Sequence, residues 1–136
     1  MAEILLQVGV KILLENKQGK YLLVRRSAKK YPEAGTRWDI VGGRIMPGEP
    51  LLESLRREIK EETQLDYVGE PKLIAAQDIL RVPGKHVVRL TYIGKAGGEV
   101  KLDEENDMFQ WVTRKEMDTI EPMDIYVKEL LERGLL

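Results

Sequence analysis

The stretch from Pro50 to Thr63, PLLESLRREIKEET, carries a helical repeat of apolar residues, and segments of strand composition stand on both sides of it. That alternation restricts the chain to folds in which helices lie against a sheet. Upstream, Ile4–Leu14 is rich in Ile, Leu and Val, Asn16-Lys17-Gln18-Gly19 has turn chemistry, and Tyr21–Val24 resumes the apolar run. Ser27–Thr36 reads as a loop, Trp38–Val41 as a short apolar segment ended by Gly42-Gly43, and Pro47-Gly48 as a further turn. Downstream, Asp66–Leu80 and Val87–Ile93 have strand composition, with a hairpin at Val82-Pro83-Gly84-Lys85, and Phe109–Val112 is a short strand. Thr113 and Glu116 fit a capping box, and a last helix is predicted from about Pro122 to Arg133, stopped by Gly134. The order suggests one mixed sheet with helices packed against it, an α/β fold.

Composition narrows the chemistry. With 136 residues, 43% hydrophobic and 33% charged, the chain is long enough for a single domain over 1–136 and too apolar for disorder. Its 22 Lys and Arg against 23 Asp and Glu leave a net charge of -1, without the basic excess that duplex binding requires. No cysteine is present, so thiolate metal sites and Cys nucleophiles are excluded. The single histidine, His86, and the two serines, Ser27 and Ser54, offer no serine elbow and no histidine-rich zinc site. Catalysis must run on carboxylates and on metals that favour oxygen ligands. The apolar N-terminal stretch is interrupted by Gln7 and Lys11 and is too short to span a bilayer, so the expected compartment is the cytoplasm, with no membrane partner.

At about 100° per residue, Glu58, Glu61 and Glu62 project from one helix face, with Leu52, Leu55 and Ile59 as an adjacent apolar stripe. Glu53, Arg56 and Lys60 fall on the far side. Three clustered carboxylates repel one another, and a hard divalent cation between them resolves the conflict. Mg²⁺ suits such a site because it is readily shared with substrate phosphates, and a nearby carboxylate can take a proton from an attacking water. A glutamate-rich solvated face is the alternative that this segment alone leaves open.

The longer pattern distinguishes them. Gly43, five residues, Glu49, seven residues, then Arg57-Glu58-Ile59-Lys60-Glu61-Glu62 and Leu65 closely resembles the Nudix box. Trp38 ahead of the double glycine and Trp111-Val112 after an acidic run extend the resemblance over nearly the whole chain. It implies the Nudix α/β/α sandwich around a mixed β-sheet, and hydrolysis of a nucleoside diphosphate linked to another moiety, assisted by Mg²⁺ or Mn²⁺. By the same resemblance Glu58 and Glu62 are the principal metal ligands, Glu61 contributes directly or through water, and the Gly43 carbonyl approaches a metal. Arg57 orients the catalytic carboxylates, and Glu49 ties the loop to the helix. Gln64 stands where the family usually has glycine, so it is expected in a left-handed conformation or at an altered helix exit.

Outside the box the expectations are finer. Among Asp103, Glu104, Glu105 and Asp107, Glu105 best matches an extra catalytic carboxylate, a solvated acidic loop being the other reading. Arg25, Arg26, Arg37 and Arg44 are phosphate-clamp candidates. Strand alternation admits one of Arg25 and Arg26, and Arg25 is favoured. Arg81, Lys85, His86 and Arg89 are expected to solubilise the hairpin. Asp124, beside Met123, lies where MutT-like members read a base, and either accepts from an exocyclic amino group or serves the helix terminus. The expected partner is a small nucleotide, most readily a nucleoside triphosphate, and no nucleic acid polymer, with a homodimer left open. The rival function is a nucleotide-sensing module that does not cleave.

Overall fold

A computed structural model describes residues 3–30, 32 and 36–136. The central strand is β1 (Leu5–Glu15), and β2 (Tyr21–Arg26) follows it through the Asn16 turn, where Asn16 Oδ1 accepts from the Gln18 and Lys20 amides. β3 (Trp38–Asp39) and β4 (Val41–Arg44) are short and flank Ile40. Helix α1 (Leu51–Thr63) leads to the long hairpin β5 (Tyr67–Ile79) and β6 (Lys85–Ala96), then β7 (Asn106–Val112), α2 (Arg114–Met117) and α3 (Ile125–Glu132). The main strand order is β3-β2-β1-β6-β5, with β4 paired to β1 and β7 to β2.

The first two strands meet only near their turn, at Glu15 and Tyr21. β1 instead runs parallel to β6 from Leu5 opposite Lys85 to Glu15 opposite Lys95, and antiparallel to β4. The sheet is mixed, as the element order implied. Alternation along β1 sends Val10, Ile12 and Leu14 to the face covered by Leu55 and Ile59 of α1. Leu13 faces the other way, into a second core with Trp38, Ile40, Met117, Val127 and Leu131. The fold is therefore an α/β sandwich.

Two expectations shift for physical reasons, and a third holds. Leu52 is 37% exposed, and the buried face of α1 is Ser54, Leu55, Ile59, Glu62 and Thr63. Leu52 thus lies outside the apolar stripe expected of it. The last helix starts at Ile125 because residues 122–124 are extended along β3. The Trp38 amide donates to the Pro122 carbonyl at 2.9 Å, and the Asp124 amide to the Trp38 carbonyl at 2.8 Å. Gln64 takes φ 63°, the left-handed exit expected where glycine is usual, and its amide donates to the Lys60 carbonyl.

Candidate active site

The double glycine brings β4 against α1. The Gly42 amide donates to Glu62 Oε2 at 2.9 Å, which fixes a carboxylate on the helix to the strand. A Cβ on Gly43 would lie 2.5 Å from Glu58 Oε2, so only glycine lets that carboxylate approach the backbone. Arg57 binds the rest of the cluster together. Its Nε and Nη2 grip Glu49 at 2.9–3.2 Å, and its Nη1 donates to Glu58 at 2.9 Å and to Glu61 at 3.4 Å. Ser54 Oγ also donates to Glu49. Arg57 and then Ser54 hold Glu49 down at about 2, and Glu49 in turn raises Arg57 above its ordinary value.

Around these residues lies a polar cavity of about 480 Å³. Glu58, Glu61 and Glu62 line it from α1, Asp103 and Glu105 from the opposite loop, and Arg26, Arg44 and Lys85 close it. Glu62 is buried at 9% exposure while the Glu61 side chain is 55% exposed, so the three helix glutamates are graded from core to solvent. Burial pushes Glu62 up to about 7, against Lys11 and the Gly42 amide, with Glu58 and Asp103 adding to the rise. Burial raises Glu58 against the opposing pull of Arg57, and burial also raises Asp103. Burial is the first cause of all three rises, so these carboxylates hold a proton more readily than usual, and a cation arriving among them would favour their ionised forms.

This donor set fits a hard divalent cation: carboxylate oxygens from Glu58, Glu61 and Glu62, with the Gly43 backbone alongside. As they stand, Glu58 and Glu61 lean on Arg57, and among the described residues no three acidic or histidine groups are gathered in ligating geometry. Ligation would use the same oxygens after turning them from Arg57.

The structure brings Glu105 to the cavity, where it also pairs with Lys30 at 2.8 Å. Arg25 lies elsewhere. It pairs with Asp107 at 2.8 Å, and Arg26, its neighbour across the strand's alternation, faces the site. His86 contacts Asp78 at 2.7 Å on the exposed hairpin and lines neither of the two cavities near α1.

A second cavity, of about 230 Å³, adjoins the first through the shared wall of Arg26, Gly42, Gly43 and Arg44. Arg37 and Asp124 border it. Asp124 caps α3, accepting from the Tyr126 and Val127 amides at 3.1 Å through Oδ2, which also pairs with Arg89 at 3.1 Å. Arg89 is only 4% exposed and also reaches Asp39 at 3.2 Å, while Lys11 meets Asp39 at 3.1 Å. Burial opposes ionisation of Asp39, yet Lys11 and Arg89 bring it down to about 2.

The solubilising role expected of Arg89 is therefore corrected, whereas Arg81 and Lys85 are exposed on the hairpin, as expected. Parallel pairing with β1 sets Arg89 opposite Gly9 in the middle of the sheet, and Arg81 and Lys85 reach the two cavities from the hairpin end. Lys11, Asp39 and Arg89 were missed as a set. Each is a lone charge inside an apolar run, VKIL, WDIV and VVRL, and buried charges need partners.

A family model for the NUDIX domain matches residues 5–133. The chain belongs to the Nudix family. The nucleoside triphosphatase NudI of Escherichia coli K12 is 30% identical over 91% of this chain and 94% of its own length. NudI of Enterobacter sp. strain 638 is 29% identical over 87% and 90%. A MutT protein from Methanosarcina mazei Go1 superposes with a TM-score of 0.84 at 28% identity, over 98% of this chain and 95% of that one. The E. coli ORF135 protein shares the fold, with a TM-score of 0.77 at 22% identity over 95% and 88%. Membership makes the chain a pyrophosphohydrolase of the Nudix type, a class that generally works with a divalent metal. Among the described residues no helix is long and apolar enough to cross a membrane.

Proposed function

We propose that this Nudix protein hydrolyses a phosphoanhydride bond of a nucleoside diphosphate-X compound, most readily a nucleoside triphosphate, with Mg²⁺ or Mn²⁺ held by Glu58, Glu61 and Glu62 beside the Gly43 carbonyl. The observation that carries the reading is the close approach of Glu58 to Gly43 in a cavity that gathers the carboxylates of Glu58, Glu61, Glu62, Asp103 and Glu105. The names of the NudI relatives support the substrate class.

A divalent cation at this place supplies positive charge to the substrate's phosphate oxygens and acidifies water. The chain's own residues do the remaining work. Arg57 holds Glu58 and Glu61 in a fixed relation to Glu49, which pins the start of the helix. Glu58 and Glu105 face one cavity from opposite walls, and either is placed to take the proton of the attacking water. Arg26 and Arg44 stand at the passage between the cavities, where a diphosphate crosses from one to the other. Substrate contact is assigned to Arg37 in preference to Arg25. Asp124 is assigned to the helix terminus, where it fixes the start of α3 and the Arg89 side chain, in preference to contact with a base amino group.

The test is phosphate and pyrophosphate release from a panel of nucleotides, with and without Mg²⁺, with identification of products. Metal-dependent release of a nucleoside monophosphate and pyrophosphate from triphosphates is expected. Tight nucleotide binding without release would favour the sensing module instead.

A further inference from the structure

We propose that the cavity at the start of α3 is an oxyanion subsite, taking a phosphate of the substrate that does not sit among the helix glutamates. The proposal rests on the hydrolase reading above, since it places a second part of the same substrate.

Charge is what separates this cavity from a pocket for an uncharged base. Small-molecule pockets are mostly apolar, with few polar groups. Here the wall carries Arg37, Arg44 and Arg81, and none of the three has a carboxylate partner among the described residues. Arg44 has only the neutral amide of Gln7, at 3.4 Å. The wall's two carboxylates are already engaged: Asp39 with Lys11 and Arg89, and Asp124 with Arg89 and two helix amides. Those four charges balance as two cations and two anions, and the three arginines remain in excess.

Two further observations point the same way. Arg89 is nine-tenths buried, and its Nε has no hydrogen-bond partner, a donor left unmet beside the cavity it lines. Arg44 is pulled below its ordinary value by burial and then by the nearby charges of Arg89 and Arg26, as expected where cations crowd without an anion. Arg81 and Arg89 also lie over the Tyr126 ring at 5.5 and 5.7 Å from its centre, so cationic groups surround the aromatic side chain of this wall as well. A phosphate relieves the repulsion and satisfies guanidinium donors in their preferred bidentate manner.

The phosphate has two possible sources: the terminal group of a nucleoside triphosphate, or an ester phosphate on the nucleoside side. A thermal melt in EDTA tests the subsite without turnover, using inorganic phosphate against chloride at matched ionic strength. Phosphate is expected to raise the melting temperature of the wild type, and the increment is expected to vanish in the Arg37→Gln, Arg81→Gln double variant. No increment, or one that survives the double substitution, overturns the subsite. The source is then read from kcat/KM with Mg²⁺ for a nucleoside 5′-triphosphate, its 5′-diphosphate, and the 5′-diphosphate bearing a 3′-phosphate. Loss of the terminal phosphate is expected to cost roughly tenfold or more, from lost charge-assisted contacts. Recovery on adding the 3′-phosphate identifies the ester as an occupant, and its absence identifies the terminal phosphate. Equal values for all three compounds overturn the proposal. Hydrolysis of none of them refutes the hydrolase reading, and the melts still decide whether the oxyanion subsite exists.

Discussion

Two clusters of charge lie on either side of Gly42 and Gly43, and they differ in how their carboxylates are compensated. Under α3, Lys11 and Arg89 face Asp39 and Asp124, the charges cancel, and Asp39 is held at about 2. On α1, Glu58 and Glu61 share the single guanidinium of Arg57, which is also gripped by Glu49, while Glu62 accepts from the Gly42 amide and burial takes it up to about 7. A balanced cluster of buried ions ties elements together. An unbalanced one favours the arrival of an opposite charge, which is the condition for a metal site.

The largest effect expected from breaking this contrast is catalytic. Glu58→Gln should lower kcat by roughly three orders of magnitude or more while the protein stays folded, as removal of a group that acts mainly in the transition state does. Steady-state kinetics beside a circular dichroism melt checks both halves. Wild-type turnover by the variant would mean that α1 is not the catalytic element.

In the balanced cluster the cost moves to stability. Arg89→Met leaves Asp124 without its ion pair and Asp39 with Lys11 alone, so urea unfolding should show a loss of about 3–5 kcal/mol, the usual cost of breaking a buried pair from one side. A loss below about 1 kcal/mol would place the network among weak surface pairs.

A third expectation sharpens the comparison through pH. Glu62 stands at about 7 in the folded protein against an ordinary 4.5. Its contribution to stability is therefore complete below about pH 4.5 and is lost as pH rises through about 7. Asp39 and Glu49, both held down at about 2, act in the opposite sense and only at lower pH, losing their contribution as pH falls from about 4 towards 2. In EDTA the protein should thus gain stability as pH is lowered from 8 to 5, by up to about 3 kcal/mol. Glu62→Gln should flatten that slope. The smallest effect belongs to Glu53→Gln, on the exposed side of α1, which should leave kcat unchanged and stability within about 0.5 kcal/mol.

Much of this was legible in the sequence where the signal was local. The helix over residues 51–63, its acidic face, the left-handed Gln64 and the capping box at Thr113 follow from neighbours within a few positions, and the structure has each. The long parallel pairing of β1 with β6 joins residues 80 positions apart, and no local pattern encodes it. Because that pairing was hidden, Arg89 looked like a hairpin surface residue, and its pairing with Asp39 and Asp124 went unread. The choice of Arg25 over Arg26 turned on strand phase, and a register shift of β2 against β7 falls between these two residues. Helix coverage was likewise misjudged at Leu52, since periodicity gives the direction of a face but not how far the sheet extends beneath it.

If the glutamates of α1 hold the divalent cation that cleavage needs, turnover must depend on added metal. The most direct measurement is the rate of pyrophosphate release from a nucleoside triphosphate in metal-free buffer with EDTA, then after Mg²⁺ is restored in excess. No turnover with EDTA and full recovery with Mg²⁺ is the result expected. Undiminished turnover in EDTA would mean that these glutamates do not act through a divalent cation.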